Sequence, residues 1–163
     1  GNFDDAQTGV KKIFGDQEFG KSLAAKGFQL SSAISINIGR LVPQVVYYVY
    51  AYAKLVQNGE IRNGDLINIT VPTGNFGNIL AAYYAKNMGL PIKKLICASN
   101  DNKVLYDFFR TGAYDRNRDF ILTTSPSMDI LISSNLERLI YRIAGEDAAC
   151  NASLMAALSL IHI

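Results

Sequence analysis

The sequence has one histidine, His162, and two cysteines, Cys97 and Cys150, that lie far apart. That leaves no ligand spacing for a metal and no disulfide framework. Cys97 sits in an apolar, strand-like run and reads as a core residue rather than a reactive thiol. Excess charge is also missing. Lysine and arginine number 16 against 14 aspartates and glutamates, and no basic stretch stands out. Nucleic acid therefore has no electrostatic footprint here. Long hydrophobic runs are absent too. The most apolar stretch, Leu41 to Val56, is interrupted by Gln44 and Lys54. It falls short of the roughly 20 apolar residues that a membrane-spanning helix takes. Its apolar residues surround the helix, which suggests burial in a soluble domain. No stretch reads as a signal peptide, and a reducing, cytoplasmic compartment is the default expectation.

What is present is a chain of 163 residues, 49% of them apolar. That suits one ordered domain and argues against disorder. The chain opens at Gly1 without a methionine and ends on the apolar run Leu160-Ile161-His162-Ile163. Both ends read as those of an internal piece: residues 1–159 as part of a larger protein, and 160–163 as a truncated or foreign tail.

The pattern predicts the following elements. Asp4 with Gln7 resembles a capping box that opens a helix to about Phe14. A second helix covers Asp16 to Ala25 and stops at Gly27. Phe28 to Ser32 is a strand candidate. Pro43 is tolerable only in a first helical turn, so the next helix starts near Gly39 to Leu41 and ends at Asn58-Gly59. Leu66 to Val71 reads as a strand without a polar face, as in a parallel sheet covered on both sides. A helix from Ile79 to Met88 is closed by Gly89 and Pro91. A strand over Lys94 to Ala98 and a helix over Lys103 to Arg110 follow. Phe120 to Thr124 is a third strand candidate. Met128 to Ile143 and Asp147 to Leu158 read as helical. The fold class is α/β with a parallel sheet and flanking helices, built on one βαβ unit.

The most informative residues join the first strand to its helix: Val71-Pro72-Thr73-Gly74-Asn75-Phe76-Gly77-Asn78. A tight turn with two glycines at a helix start aims several backbone N–H groups at one point, where the helix dipole adds positive potential. Asn75 and Asn78 add amide donors. Phe76 is a large apolar side chain in a loop, where packing alone seldom asks for one. Three readings compete. A nucleotide site would want G-x-G-x-x-G and an acid about 20 residues on, for which Asp101 is placed; the third glycine is missing, however, and so is the Gly-Lys-Ser/Thr of a Walker loop. A phosphate-bearing cofactor such as pyridoxal phosphate suits the turn. The plain alternative is a glycine loop that only turns the chain.

Gly74-Asn75-Phe76-Gly77-Asn78 resembles the cofactor-phosphate loop of threonine synthases, pyridoxal phosphate enzymes of the tryptophan-synthase-β-like fold. The likeness is to the bacterial and fungal branch and runs in order to about Ser159. It is carried by Asn2-Phe3-Asp4-Asp5-Ala6-Gln7, by Ser35-Ile36-Asn37-Ile38-Gly39-Arg40-Leu41 with the tyrosine-rich stretch after it, by Ala98-Ser99-Asn100, and by Ser125-Pro126-Ser127-Met128-Asp129-Ile130. The resemblance implies conversion of O-phospho-L-homoserine and water to L-threonine and phosphate, with pyridoxal 5'-phosphate as cofactor. It implies that Gly74, Asn75, Phe76, Gly77 and Asn78 hold the cofactor phosphate. Ser35, Arg40 and Asn78 match substrate-binding positions. Taken by themselves, Ser35 and Asn37 are equally good helix caps and Arg40 an ordinary surface charge. Tyr47, Tyr48, Tyr50 and Tyr52 read as core rather than site.

Two departures from the family pattern stand out. The asparagine that usually precedes the serine is Ile34 here, and an apolar side chain cannot donate to a phosphate. The Schiff-base lysine, in the family followed by an aspartate, has no match. Lys11, Lys12, Lys21, Lys26, Lys54, Lys86, Lys93, Lys94 and Lys103 all have other neighbours. No catalytic residue is therefore expected in this chain, and its oligomeric state stays open.

Overall fold

In the computed structural model, which describes residues 3–72, 74–115 and 117–160, eight α-helices and two strands follow one another. Helices α1 (Phe3–Gly15) and α2 (Gln17–Ala25) come first. Asp16 caps α2, its carboxylate accepting from Phe19 N at 2.9 Å. The side chains of Asp4 and Gln7, and all of Asn2, lie outside the described residues. Phe28 to Ser32 is not a strand. Phe28 N turns back onto Leu23 O at 3.0 Å, and the serines are held instead by Asn37 Nδ2, which donates to Ser32 O at 3.0 Å. Asn37 is the cap of α3 (Ile38–Leu41), accepting from Gly39 N at 2.9 Å.

Pro43 then changes the expected single helix. It lacks the N–H that an α-helical turn would use, and the chain takes a 3-10 turn over Val42–Gln44 before α4 (Val45–Gln57). The burial of α4 also departs from the sequence pattern. Val45 and Tyr52 are buried, whereas Val46, Tyr47, Val49 and Tyr50 are exposed. Of the four tyrosines expected in the core, only Tyr52 is fully there; Tyr48 is half-buried, and Tyr47 and Tyr50 are about 60% exposed (61% and 62%).

Strand β1 (Ile67–Pro72), helix α5 (Gly77–Asn87) and strand β2 (Ile92–Ala98) form the expected βαβ unit, with β1 and β2 parallel. Ile67 pairs with Ile92 and Val71 with Cys97, and the register slips by one residue at Lys93. The small face of α5 makes the packing possible: Ala81, Ala82, Ala85 and Leu80 are wholly buried. Ala81 and Ala85 meet Val45 and Ile92, while Leu80 joins Leu41, Val71, Phe76 and Leu105 in the larger core. A buried leucine of this kind contributes about 2 kcal/mol by area removed from water. Gly89, at φ 106°, closes the helix with its N–H on Lys86 O, and Leu90 N reaches Ala85 O. The sheet is covered on one face only. Along β1, Ile67, Ile69 and Val71 turn inward while Asn68, Thr70 and Pro72 are exposed. The expectation of a strand without a polar face overlooked Asn68 and Thr70, which supply one.

Helix α6 (Val104–Thr111) follows. Phe120 to Thr124 is extended but pairs with side chains instead of a strand. Asn102 bridges Ile121 through both its amide atoms, donating to Ile121 O at 2.7 Å and accepting from Ile121 N at 3.0 Å. Thr123 N donates to Asp129 Oδ2 at 2.8 Å. The next stretch is not one helix from Met128. A 3-10 turn (Pro126–Met128) and a loop precede α7 (Leu136–Ile143). The loop's polar groups bond back to the glycine turn. Helix α8 (Ala148–Leu160) ends the described chain; residues 161–163, most of the expected tail, lie outside it.

Asp129 is the anchor of this half of the chain. It is 1% exposed and accepts from Thr123 N, Thr123 Oγ1, Asn100 Nδ2 and Asn102 Nδ2 at 2.7–3.2 Å. These donors, that of the Thr123 backbone foremost, hold its carboxyl below the usual carboxylate range against the opposing effect of burial. A depressed folded-state pKa gives stability that is complete above the unfolded value, near about 3.9, and is lost as pH falls through the folded value. Thermal unfolding followed by circular dichroism should show this loss below about pH 4. Asp129→Asn, which sets an amide donor against donors, should lower the midpoint at neutral pH by roughly 5 °C and flatten the acid limb.

Candidate functional site

The turn between β1 and α5 is built from unusual backbone. Gly74 has φ 44°, and Phe76, a bulky residue, has φ 65°. A non-glycine side chain in that region costs about 1–2 kcal/mol. The ring of Phe76 offsets this by burial: it is 5% exposed and lies against Phe109, with ring centroids 6.1 Å apart. That answers why a loop carries a phenylalanine. Gly77 is required for a different reason. A Cβ there would lie 2.5 Å from Ser35 Oγ and 2.6 Å from Ser35 Cβ.

The turn's hydrogen bonds run to its carbonyls. Ser133 Oγ donates to Gly74 O at 2.9 Å, Asn135 N and Nδ2 donate to Asn75 O at 3.2 and 3.0 Å, and Leu80 N donates to Phe76 O at 3.0 Å. The N–H groups of Gly74 to Asn78 carry no such bond among the described residues. Carbonyls are thus held from one side by the 133–135 loop, and donors are left at a helix start. That is the arrangement an anion needs.

Asn135 draws in the serine segment. Its side chain, wholly buried, donates to Ser35 Oγ at 3.0 Å. Arg138 holds the same segment from α7, donating to Ser35 O at 3.1 Å and Ile36 O at 2.6 Å, and also bonds Asn135 Oδ1. Ser35 is therefore not a cap; Asn37 is.

A cavity of about 390 Å³ opens beside this junction. Ser35, Arg40, Gly74 and Asn75 line it, together with Ala33, Ile34, Pro43, Gln44, Tyr47, Ser127, Met128 and Ile130. Four of the sequence-predicted residues thus share one space. Arg40 Nε donates to Ala33 O at 3.0 Å, which holds the guanidinium beside the cavity. No carboxylate is among the lining residues, so the charge balance favours an anion. Phe76 and Gly77 support the turn from below. Donors without a partner among the described residues, one arginine and no lining acid fit a phosphate group.

Asn78 is placed differently from expectation. Its Nδ2 donates to Gln44 Oε1 at 3.0 Å and its Oδ1 accepts from Tyr48 Oη, which also reaches Asn78 O at 3.0 Å. The side chain is tied to the 3-10 turn and α4, and it does not line the cavity. Half burial pushes the Tyr48 hydroxyl up to about 12, so it stays a donor at neutral pH. Asp101, the candidate ribose acid, is exposed beyond β2. Sequence reasoning missed Asn135, Ser133, Arg138, Tyr48 and Gln44. The signal available for the first three was the polar cluster Ser133-Ser134-Asn135 just before a helix with strongly segregated faces.

No family model matches the chain. "Threonine synthase-like 1" of Macaca fascicularis is 53% identical over 163 residues, covering 99% of this chain and 22% of its own. Threonine synthase of Eremothecium gossypii is 44% identical, covering 91% of this chain and 27% of its own. A crystal structure of threonine synthase from Brucella melitensis with bound pyridoxal phosphate superposes with a TM-score of 0.79 at 49% identity, over 98% of this chain and 32% of that one. The chain is homologous along nearly all its length to one stretch of these proteins. It spans about a quarter of the length of the curated relatives it matches (22% and 27% here).

Gly77→Ala tests the tightness of the junction. An alanine in a helix ordinarily gains about 1 kcal/mol over glycine, but the Cβ meets Ser35 here. The net change should be a loss of about 1–3 kcal/mol in urea unfolding. In a Ser35→Gly background the same change should turn neutral or stabilising.

Proposed function

We propose that this chain, a stretch of the threonine synthase family, supplies the phosphate-holding part of a cytoplasmic enzyme that converts O-phospho-L-homoserine and water to L-threonine and phosphate. The cofactor is pyridoxal 5'-phosphate, and the complete protein has the fold-type II, tryptophan-synthase-β-like architecture. Residues 1–159 form its central and C-terminal part. One observation carries the reading: the N–H groups of the Gly74–Asn78 turn, without a backbone partner among the described residues, and the Ser35–Arg40 segment stand at a common junction, beside a cavity without acids.

The cofactor, when bound, supplies an electron sink that lets protons leave the carbons of the substrate. This chain's residues bind and orient. The N–H groups from Gly74 to Asn78 hold the cofactor phosphate, and the dipole of α5 favours its charge. Asn78 acts from behind, fixing the start of α5 through Tyr48 and Gln44. Ser35 donates its hydroxyl to the substrate phosphate and Arg40 supplies the opposite charge. Tyr47 of α4 forms part of the cavity wall. The Schiff-base lysine comes from elsewhere in the complete protein, so the chain alone does not turn over substrate.

The test is phosphate release from O-phospho-L-homoserine, with threonine as the co-product, by the complete protein loaded with pyridoxal phosphate. Absence of both the cofactor's absorbance and phosphate release would speak against the reading. The 163-residue chain by itself should release no phosphate under the same conditions.

A second reading has its own support. Identity is higher to a threonine synthase-like protein, 53%, than to the Eremothecium gossypii threonine synthase, 44%, and Ile34 stands at the cavity wall where an amide would donate. Another β-replacement or elimination enzyme of the same fold fits both facts. Elimination would give a 2-oxo acid and ammonia in place of threonine, and product analysis separates the two. Ile34→Asn in the complete protein should lower KM for the phosphorylated substrate by about tenfold, the value of one hydrogen bond to a charged group. An unchanged KM and kcat would place Ile34 out of reach of the substrate.

A further inference from the structure

The amide of Asn135 can point only one way. Its Oδ1 faces the Arg138 guanidinium, which has donors and no acceptor. Its Nδ2 faces Asn75 O, which has lone pairs and no proton, at 3.0 Å. A flipped amide would set donor against donor at one end and oxygen against oxygen at the other. The orientation is thereby fixed from both sides, in a residue that is wholly buried.

The consequence passes to Ser35. A serine hydroxyl can donate or accept, and its surroundings choose. Here Nδ2 of Asn135 donates to Ser35 Oγ at 3.0 Å, so the oxygen is an acceptor on that side. Its own proton meets no acceptor among the described residues, and Ser35 lines the cavity. The proton is therefore left for an acceptor in the cavity that Ser35 lines.

We infer that Asn135 and Arg138 are positioning residues that set the polarity of the Ser35 hydroxyl. Through them one lone pair of the hydroxyl is taken up and its proton is left to the cavity, which favours an acceptor-only oxyanion, a phosphate dianion, over ligands that bring hydrogens of their own. This rests on the assignment of the cavity to the substrate phosphate. The same amide also holds Asn75 O, so the polarity of the cavity wall and the shape of the turn are set by one group.

The experiment uses the complete protein with its cofactor bound, so that the turn is filled, and measures the affinity of inorganic phosphate by equilibrium dialysis. Ser35→Ala should weaken binding by about tenfold. Asn135→Asp keeps the side chain's shape and its bond to Arg138 but turns the donor into an acceptor for the Ser35 proton. It should cost about tenfold or more, and clearly less when added to Ser35→Ala, because only the share of its effect that acts through Asn75 O then remains. An equal loss from Asn135→Asp in both backgrounds overturns the inference, since a purely structural role would not depend on Ser35. Should Asn135→Asp not fold, Arg138→Lys, still donor-only, should retain binding while Arg138→Met loses it; identical behaviour of the two overturns the inference as well. If the unsubstituted holoprotein binds no phosphate, the cavity assignment itself fails and this inference with it. If it binds phosphate and Ser35→Ala changes nothing, only the present inference fails.

Discussion

Three stretches of chain, far apart in sequence, meet on the side-chain amide of Asn135: the turn after β1, the serine segment before α3, and the start of α7. A buried amide has a fixed number of donors and acceptors, and each must find a partner, since leaving one unmade costs about 1–3 kcal/mol. Asn135 meets that demand only when Asn75, Ser35 and Arg138 are all in place. This makes the junction all-or-none. Ser133 on Gly74 O and Arg138 on Ser35 O and Ile36 O reinforce the same placement. The missing Cβ of Gly77 then lets Ser35 come within contact of the α5 backbone.

A second amide-and-acid cluster stabilises the chain after β2, at the same carboxyl end of the parallel sheet. Asp129 gathers Asn100, Asn102 and Thr123, and Asn102 holds Ile121 as a neighbouring strand would. Two of the short segments that carry the resemblance, Ala98-Ser99-Asn100 and Ser125 to Ile130, thus touch through Asn100 and Asp129. Their polar residues are explained by each other before any ligand is considered.

The βαβ unit was legible because its signals are local. Apolar strand residues, small helix residues and the Gly89-Pro91 stop each act within a few positions. The glycine turn was legible as a strand-to-helix turn for the same reason: glycine spacing and strand–helix order belong to adjacent residues. What escaped was decided at long range. Phe120 to Thr124 has the composition of a strand, but its edge groups are taken by Asn102 and Asp129. Met128 to Ile143 has helical periodicity, but the loop at 133–135 is drawn onto Gly74 and Asn75. Asn78 looks like a ligand in sequence, yet its amide is held by Tyr48 of α4 and by Gln44 of the 3-10 turn before it, thirty-odd residues earlier. Tyr47 and Tyr50 have the hydropathy of core residues, but α4 is packed along one side only. In each case a polar partner or a packing neighbour distant in sequence outweighed the local preference.

The sheet has just two strands, and each has a single hydrogen-bonded neighbour. Among the described residues, the outer edges of β1 and β2 therefore offer rows of peptide groups to any extended chain that comes near. The face of Asn68, Thr70 and Pro72 is open as well. Lys93 and Lys94, both exposed on β2, set two positive charges along one such edge and make the approach of an identical edge unfavourable. β1 has no equivalent guard among its own residues. At high concentration and high ionic strength, where that repulsion is screened, copies of this chain are expected to associate first through β1, edge to edge, into extended sheets.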